Sequence, residues 1–198
     1  MSRITIKKSI VVIGEGETEW HYVESIRKAY NLRIKLAPGL PQHSDIKSMS
    51  RKAEQCVNNQ YDYVICLVDM DHILQDKKEI REYHKARKNS SKNVVWLETN
   101  PCTEFWFLLH FYSSFSIKRY KSYRELLPTL QKYMPKYEKT KDYFRKVNLF
   151  SYLTEHGKLN KAMEYAKMIE SKRQETNDEH ISYSQLYELF EILNKINK

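Results

Sequence analysis

The chain has 198 residues, 41 % of them hydrophobic, and a formal net charge of +9. That length accommodates one ordinary domain, or a domain with an appendage. Its longest apolar runs, residues 63–68 and 105–109, are far too short to span a membrane. The N-terminus carries charge but no apolar stretch or small-residue cleavage site that would mark it for export. Cys56, Cys66 and Cys102 are odd in number and lack CxxC spacing. They read as reduced, mostly buried thiols of a cytoplasmic protein rather than as disulfides or a zinc site.

In chain order, "KSIVVIG" is a short β-branched run ending at Gly14 and reads as a buried strand. From Thr18, the apolar positions Trp20, Val23, Ile26 and Tyr30 follow helical spacing. "LRIKL" is a second strand, closed by "APGLPQHSD", a loop with two prolines and a glycine. Asp45 caps a helix running towards Asn59. "YDYVICLVDMD" supplies the third and most apolar strand. A charged helix over residues 77–88 leads to a fourth strand, "NVVWLET", and then to "NPCTEFWFLLHFY", where Pro101 suits a helix start. Alternation of this kind predicts an α/β fold: a mostly parallel four-stranded sheet flanked by helices. Past Ser116 the strand signals stop. Four segments with spacing near 3.6 predict a helical C-terminal subdomain over 116–198, set against an α/β domain over 1–115.

Charge is uneven along the chain. Between Lys118 and Lys146 there are ten Lys/Arg and three Asp/Glu. Such a band suits a polyanion, most economically nucleic acid, although a solvated helix surface has the same composition.

The carboxylates fall where chemistry gathers in open parallel sheets, beyond the carboxyl ends of the strands. Glu15 follows the first strand, and Asp69 and Asp71 end the third. If Val68 to Asp71 stays extended, both aspartates point the same way. Glu15 and Glu19, four apart, share a face if the helix begins early. Such a group repels itself unless a cation sits within it, and hard oxygen ligands suit Mg2+ or Mn2+ and phosphoryl chemistry. A dinucleotide fingerprint fits poorly, because Glu19 occupies its third glycine position. No GxxxxGK[ST] is present.

The ordered set EGxTE (Glu15 to Glu19), DxD (Asp69 to Asp71) and NPxxExWxLLH (Asn100 to His110) resembles the RloB-like family, a branch of the Toprim superfamily. The likeness continues through "PKYEKTKDYF" and the closing helices, and covers nearly the whole chain. The resemblance implies a Toprim-like fold with Mg2+ or Mn2+ on Glu15, Asp69 and Asp71. By likeness to OLD-type nucleases it adds Glu19 as a ligand for a second metal. Glu104 is the candidate for a further acid, and Lys139 for a transition-state cation. The family also implies cleavage of nucleic acid, bacterial anti-phage defence and an ABC-type ATPase partner.

The predicted site therefore comprises Glu15, Glu19, Asp69, Asp71, Glu104 and Lys139. Lys118, Arg119, Lys136, Tyr137, Lys139, Lys141, Arg145 and Lys146 form the predicted nucleic-acid surface, where lysines meet phosphates and an exposed Tyr137 stacks on an unpaired base. Phe105, Trp106, Leu109 and Phe144 read as core. His110, six residues from Glu104 on one helix, reads as a packed histidine. The activity expected is a metal-dependent endonuclease acting on DNA or RNA, tRNA included. A non-catalytic metal- and nucleic-acid-binding subunit and a protein-binding regulatory subunit are the alternatives.

Overall fold

The protein is described by a computed structural model over residues 8–32, 34–37 and 45–196. The first half alternates as expected: β1 (Ile10–Gly14), α1 (Glu17–Ala29), β2 (Ile34–Ala37), α2 (Ile46–Asn58), β3 (Tyr63–Asp69), α3 (Met70–Ile73), α4 (Lys77–Asn89) and β4 (Val94–Asn100). Asp45 caps α2, its Oδ1 accepting the Ser48 N–H at 2.7 Å. The proline- and glycine-containing loop expected before it falls largely on residues 38–44, which lie outside the described residues.

Strand order is β2-β1-β3-β4-β5, with the first four parallel. β1 and β3 occupy the interior of the sheet, so their runs of Val, Ile and Leu are buried on both faces. Each such side chain contributes roughly 1.5–3 kcal/mol of burial. From β1 the chain crosses to β2 on one side, then returns to β3 and β4 on the other. With right-handed crossovers, α1 covers one face and α2 and α4 the other. The reversal opens a crevice at the carboxyl ends of β1 and β3, where such sheets bind ligands.

The second half runs α5 (Glu104–Leu109), α6 (Tyr123–Leu130), α7 (Lys141–Lys146), α8 (Leu149–His156), α9 (Leu159–Thr176), β5 (Tyr183–Ser184) and α10 (Leu186–Ile196). The expectation of four strands is corrected by β5, a two-residue antiparallel strand that pairs Ser184 with Thr99 and Tyr183 with Asn100. Its Ser-Tyr-Ser is too short to show a period, and the helical pattern behind it hides it. One of the four helical segments expected past Ser116, "YFRKVNLFSYLTE", divides into two helices. It breaks at Val147, and Asn148 starts α8 by accepting the Ser151 N–H at 3.0 Å.

These late elements share their core with the sheet domain. The Trp106 indole N–H donates to Tyr22 Oη at 2.6 Å, the Trp106 ring stacks near Phe190, and the Phe150 N–H donates to Ser25 Oγ at 3.0 Å. α1, α5, α8 and α10 thus meet in one aromatic-rich cluster.

Candidate metal centre

Glu15 leaves the carboxyl end of β1 and Asp69 ends β3, so both flank the crevice. Glu15, Glu19, Asp69, Asp71 and Lys139 line one cleft of about 550 Å³. Each is held by a local interaction. The Asp69 N–H donates to Glu15 Oε2 at 3.2 Å, tying the two strand ends together. Asp69 Oδ1 accepts from the Thr103 N–H (2.8 Å) and the Thr103 hydroxyl (3.0 Å), which fixes it against the turn after β4. Among the described residues no hydrogen-bond donor reaches the other oxygen of Asp69 or of Glu15.

Two expectations about geometry are corrected. The chain does not stay extended to Asp71: α3 begins at Met70, directly after Asp69. The Met70 and Asp71 N–H groups both donate to the Pro101 carbonyl, at 3.1 and 3.0 Å, and this pins the first turn of α3. Asp71 therefore reaches the cleft from a helical turn. α1 begins at Glu17, so Glu15 and Glu19 share no helical face. Instead Glu19 folds back, its Oε2 accepting the Gly16 N–H at 2.7 Å as the third residue of a capping arrangement does. Gly14 makes room for this, because a Cβ there would stand 2.8 Å from that of Glu19. Pro101 stands near the start of α5, as expected, in the turn that precedes it.

Glu104 opens α5, 0 % exposed. Its Oε1 accepts from the Tyr137 hydroxyl at 2.6 Å and the Thr18 hydroxyl at 3.3 Å. Its Oε2 stands 3.1 Å from the Lys139 ammonium, an ion pair without hydrogen-bond alignment, and is otherwise unpartnered. Lys139 also lies 4.3 Å from the centroid of the Tyr123 ring. Tyr137 is corrected here. It is 0 % exposed and spent on Glu104, so its ring offers no face to a base.

By its sequence Cys102 is an ordinary buried thiol, yet its sulfur lies with oxygens of Asp69 and Glu104 in a group whose ligand atoms are all within 4.8 Å of one another. No ligand spacing in the sequence marks it. The only signal is its place two residues before Glu104 in the NPxxE turn.

The electrostatics follow from crowding. Burial, then the neighbouring Glu19, pushes Glu15 up to about 8, against the Asp69 N–H. Glu19 is raised by burial and Glu104, with Lys139 and Thr103 opposing. Asp69 is held well above the usual carboxylate range by burial, Glu19 and Glu104. Burial alone would lower Lys139, but Glu104, Cys102, Asp69 and Glu19 outweigh it and hold the ammonium charged. Glu19, Asp69 and Glu104 thus face the ammonium of Lys139, with Glu15 beside Glu19 and Asp71 on the same cleft. Their hard oxygen donors suit a divalent ion of the Mg2+ or Mn2+ kind, and Cys102 adds a softer donor at the rear.

The other predicted residues scatter. Lys136, Lys141, Arg145 and Lys146 are exposed, with Lys141 at 3.5 Å from Glu17 and Arg145 at 3.9 Å from Asp142. Lys118 is half-buried and Arg119 is paired to Asp178. Phe144 is buried and stacks on His21. His110 is buried with Nδ1 2.9 Å from the Trp106 carbonyl. Since a carbonyl only accepts, Nδ1 carries the proton, and burial lowers the ring to about 4.

Residues 10–193 match the family of RloB-like proteins. The chain belongs to that family. Nothing among the curated proteins and nothing among the solved structures matches this RloB-like chain. Among the described residues no helix is long and apolar enough to cross a membrane.

Proposed function

We propose that the chain is a metal-dependent phosphodiesterase of the Toprim type, cleaving DNA or RNA in the cytoplasm. The observation that carries this is the meeting of Glu15, Glu19, Asp69 and Asp71 on one cleft at the ends of β1 and β3, with a free oxygen on Glu15 and on Asp69, and with Glu104 buried behind it against Asp69, Cys102 and the Lys139 ammonium. The residues that would hold the ion are Glu15, Asp69 and Asp71, with Glu19 and Glu104 within the same acid group. A divalent cation bound there supplies Lewis acidity and a more acidic water.

The chain's own groups have separate tasks. Thr103 fixes the orientation of Asp69 through two hydrogen bonds. Lys139, 35 % exposed at its side chain, can turn its ammonium towards a phosphate and oppose charge that develops in displacement. Glu104 and the Tyr123 ring keep that ammonium at the cleft. Lys118, Arg119, Lys136, Lys141, Arg145 and Lys146 would guide the phosphate backbone. The motif resemblance supports extending the reading to anti-phage defence beside an ABC-type ATPase.

The test is cleavage of DNA and of total RNA with Mg2+ or Mn2+, with and without a neighbouring ATPase, comparing wild type with Asp69→Asn. Turnover should collapse in the variant while its melting temperature holds. Wild type that cleaves nothing the variant spares would leave a binding subunit.

A further inference from the structure

A second cavity, of about 690 Å³, adjoins the acid cleft, and of its walls only Asp71 and Arg119 enter the reading above. Asp71 lines both cavities, so they lie on either side of one side chain. We propose that this second cavity receives a nucleoside of an unpaired strand, the neighbour of the phosphate held in the cleft. The proposal rests on the phosphodiesterase reading and narrows its substrate to a single strand, loop or end at the point of attack.

Its walls argue for a nucleoside rather than for phosphate alone. Four stretches of chain meet there: the end of α3, the end of β4, the segment 119–121 and the turn before β5. Leu74 and Tyr120 supply apolar and aromatic surface, on which a base can pack. Asn100 supplies an amide whose Nδ2 is already given to the Ile181 carbonyl at 2.9 Å. Its Oδ1 therefore remains as an acceptor for a base-edge donor. Arg119 and Lys121 add cations for the flanking backbone. The Arg119 guanidinium is held by Asp178, through Nε at 3.1 Å and Nη2 at 2.9 Å, which leaves Nη1 to donate.

A volume of this size lies within the range of small-ligand sites, roughly 300–1,000 Å³. A base stacked and paired inside a duplex cannot enter it, whereas an unpaired one can be splayed out at little expense. The pairing of β5 with β4 builds the cavity, because it brings the turn at His180 beside Asn100.

The experiment uses the full chain with Ca2+ as the only divalent cation. Its probes are a single-stranded oligonucleotide carrying one 2-aminopurine and the same sequence as a duplex. Two variants are compared with wild type: Gln75→Trp, which fills the cavity from an exposed position, and Lys121→Glu. Binding of the single strand should be at least about tenfold tighter than that of the duplex, with a saturable change in 2-aminopurine emission. Gln75→Trp should lose about tenfold in single-strand affinity, as expected for one stacked base, and should bind duplex as before, whereas Lys121→Glu, which reverses a backbone cation, should weaken single strand at least as much and duplex by less.

Equal affinity for the two forms overturns the proposal, as does wild-type single-strand binding by a folded variant. Melting curves identify a variant that has lost its fold, and the other then decides. Cleavage is scored separately with Mg2+ or Mn2+. If wild type binds single strand through this cavity but never cleaves, the enzyme reading fails and the cavity stands. If wild type and both variants cleave duplex equally fast, the enzyme stands and the cavity fails.

Discussion

Glu98 and Glu104 lie six residues apart on one stretch of chain, both are buried, and each accepts from two hydroxyls and faces one cation, yet their neighbours differ. Around Glu98 the donors converge. The Tyr83 and Tyr183 hydroxyls donate at 2.7 and 2.6 Å, and the Arg87 guanidinium completes the set. Around Glu104 further acids gather besides its donors Tyr137 and Thr18: Asp69 and Cys102 stand beside it, Glu19 lies close enough to feel its charge, and Lys139 is shared among them all. A buried carboxylate surrounded by its own donors stabilises the place where strands and helices meet. A buried carboxylate surrounded by other carboxylates strains the native state, and persists where a cation or a reaction needs it.

The sharpest way to break this contrast is to neutralise one acid in each region. Asp69→Asn should lower turnover per folded molecule by about a hundredfold or more, by the measure of other preorganised electrostatic groups. Glu98→Gln should leave turnover within about twofold. It should lower unfolding free energy by about 2 kcal/mol, since two tyrosine hydroxyls lose a charged acceptor. Arg87 contributes little to that figure, because its side chain is 48 % exposed. Parallel assays and denaturant titrations check both; a Glu98→Gln protein that is stable but inactive would erase the distinction.

Lys139→Met probes the shared cation. The ammonium paired with Glu104 is then withdrawn from the acid group, and Glu104 Oε2 loses its counter-charge. Metal-free protein should be destabilised by about 1–2 kcal/mol, less than for a fully buried pair because Lys139 is partly exposed. Added Mg2+ or Mn2+ should raise its melting temperature by more than it raises that of wild type. A smaller gain than wild type would mean that Lys139 does not compete for the cation's place.

The two regions also differ in what a sequence can disclose. β1 and β3 carry continuous apolar runs that end at Gly14 and Asp69, so the strand ends and the acids upon them were legible. Asp71 was placed at the cleft for a reason that fails, because extension gives way to α3 at Met70. Tyr137 and Lys139 reach Glu104, and Asp69 reaches Cys102, only through packing across more than thirty residues, which no local period encodes. Tyr137 misled because an aromatic in a basic run looks exposed, whereas Met134 and Tyr137, three apart, turn inward together. β5 and the donors of Glu98 were hidden for a similar reason. Tyr83 lies on a charged helix and Tyr183 on a two-residue strand, and neither shows a motif.

The smallest expected effect has the most informative sign. Glu15 has its native pKa raised to about 8 by burial and Glu19, whereas an unfolded glutamate titrates near 4.5. Between those values the native chain holds a proton that the unfolded chain has lost. The unfolded state then binds fewer protons, so the stability of metal-free protein falls as pH rises through this window. Glu19 and Asp69, both raised, act in the same direction. Glu15→Gln removes one of these contributions. In EDTA at pH 8 it should stabilise the chain by about 1 kcal/mol, a figure discounted for partial exposure. That corresponds to roughly 2–4 °C in a domain of this size. Near pH 4.5 the gain should vanish, because the native glutamate is then protonated in wild type as well. With millimolar Mg2+ the order should reverse at pH 8, since only a protein that binds the ion gains stability from it. Melting curves of both proteins at pH 4.5 and pH 8, with and without Mg2+, decide the matter. If wild type is the more stable at pH 8 in EDTA, Glu15 is already satisfied by the protein, and the acid cleft belongs with Glu98 among structural carboxylates.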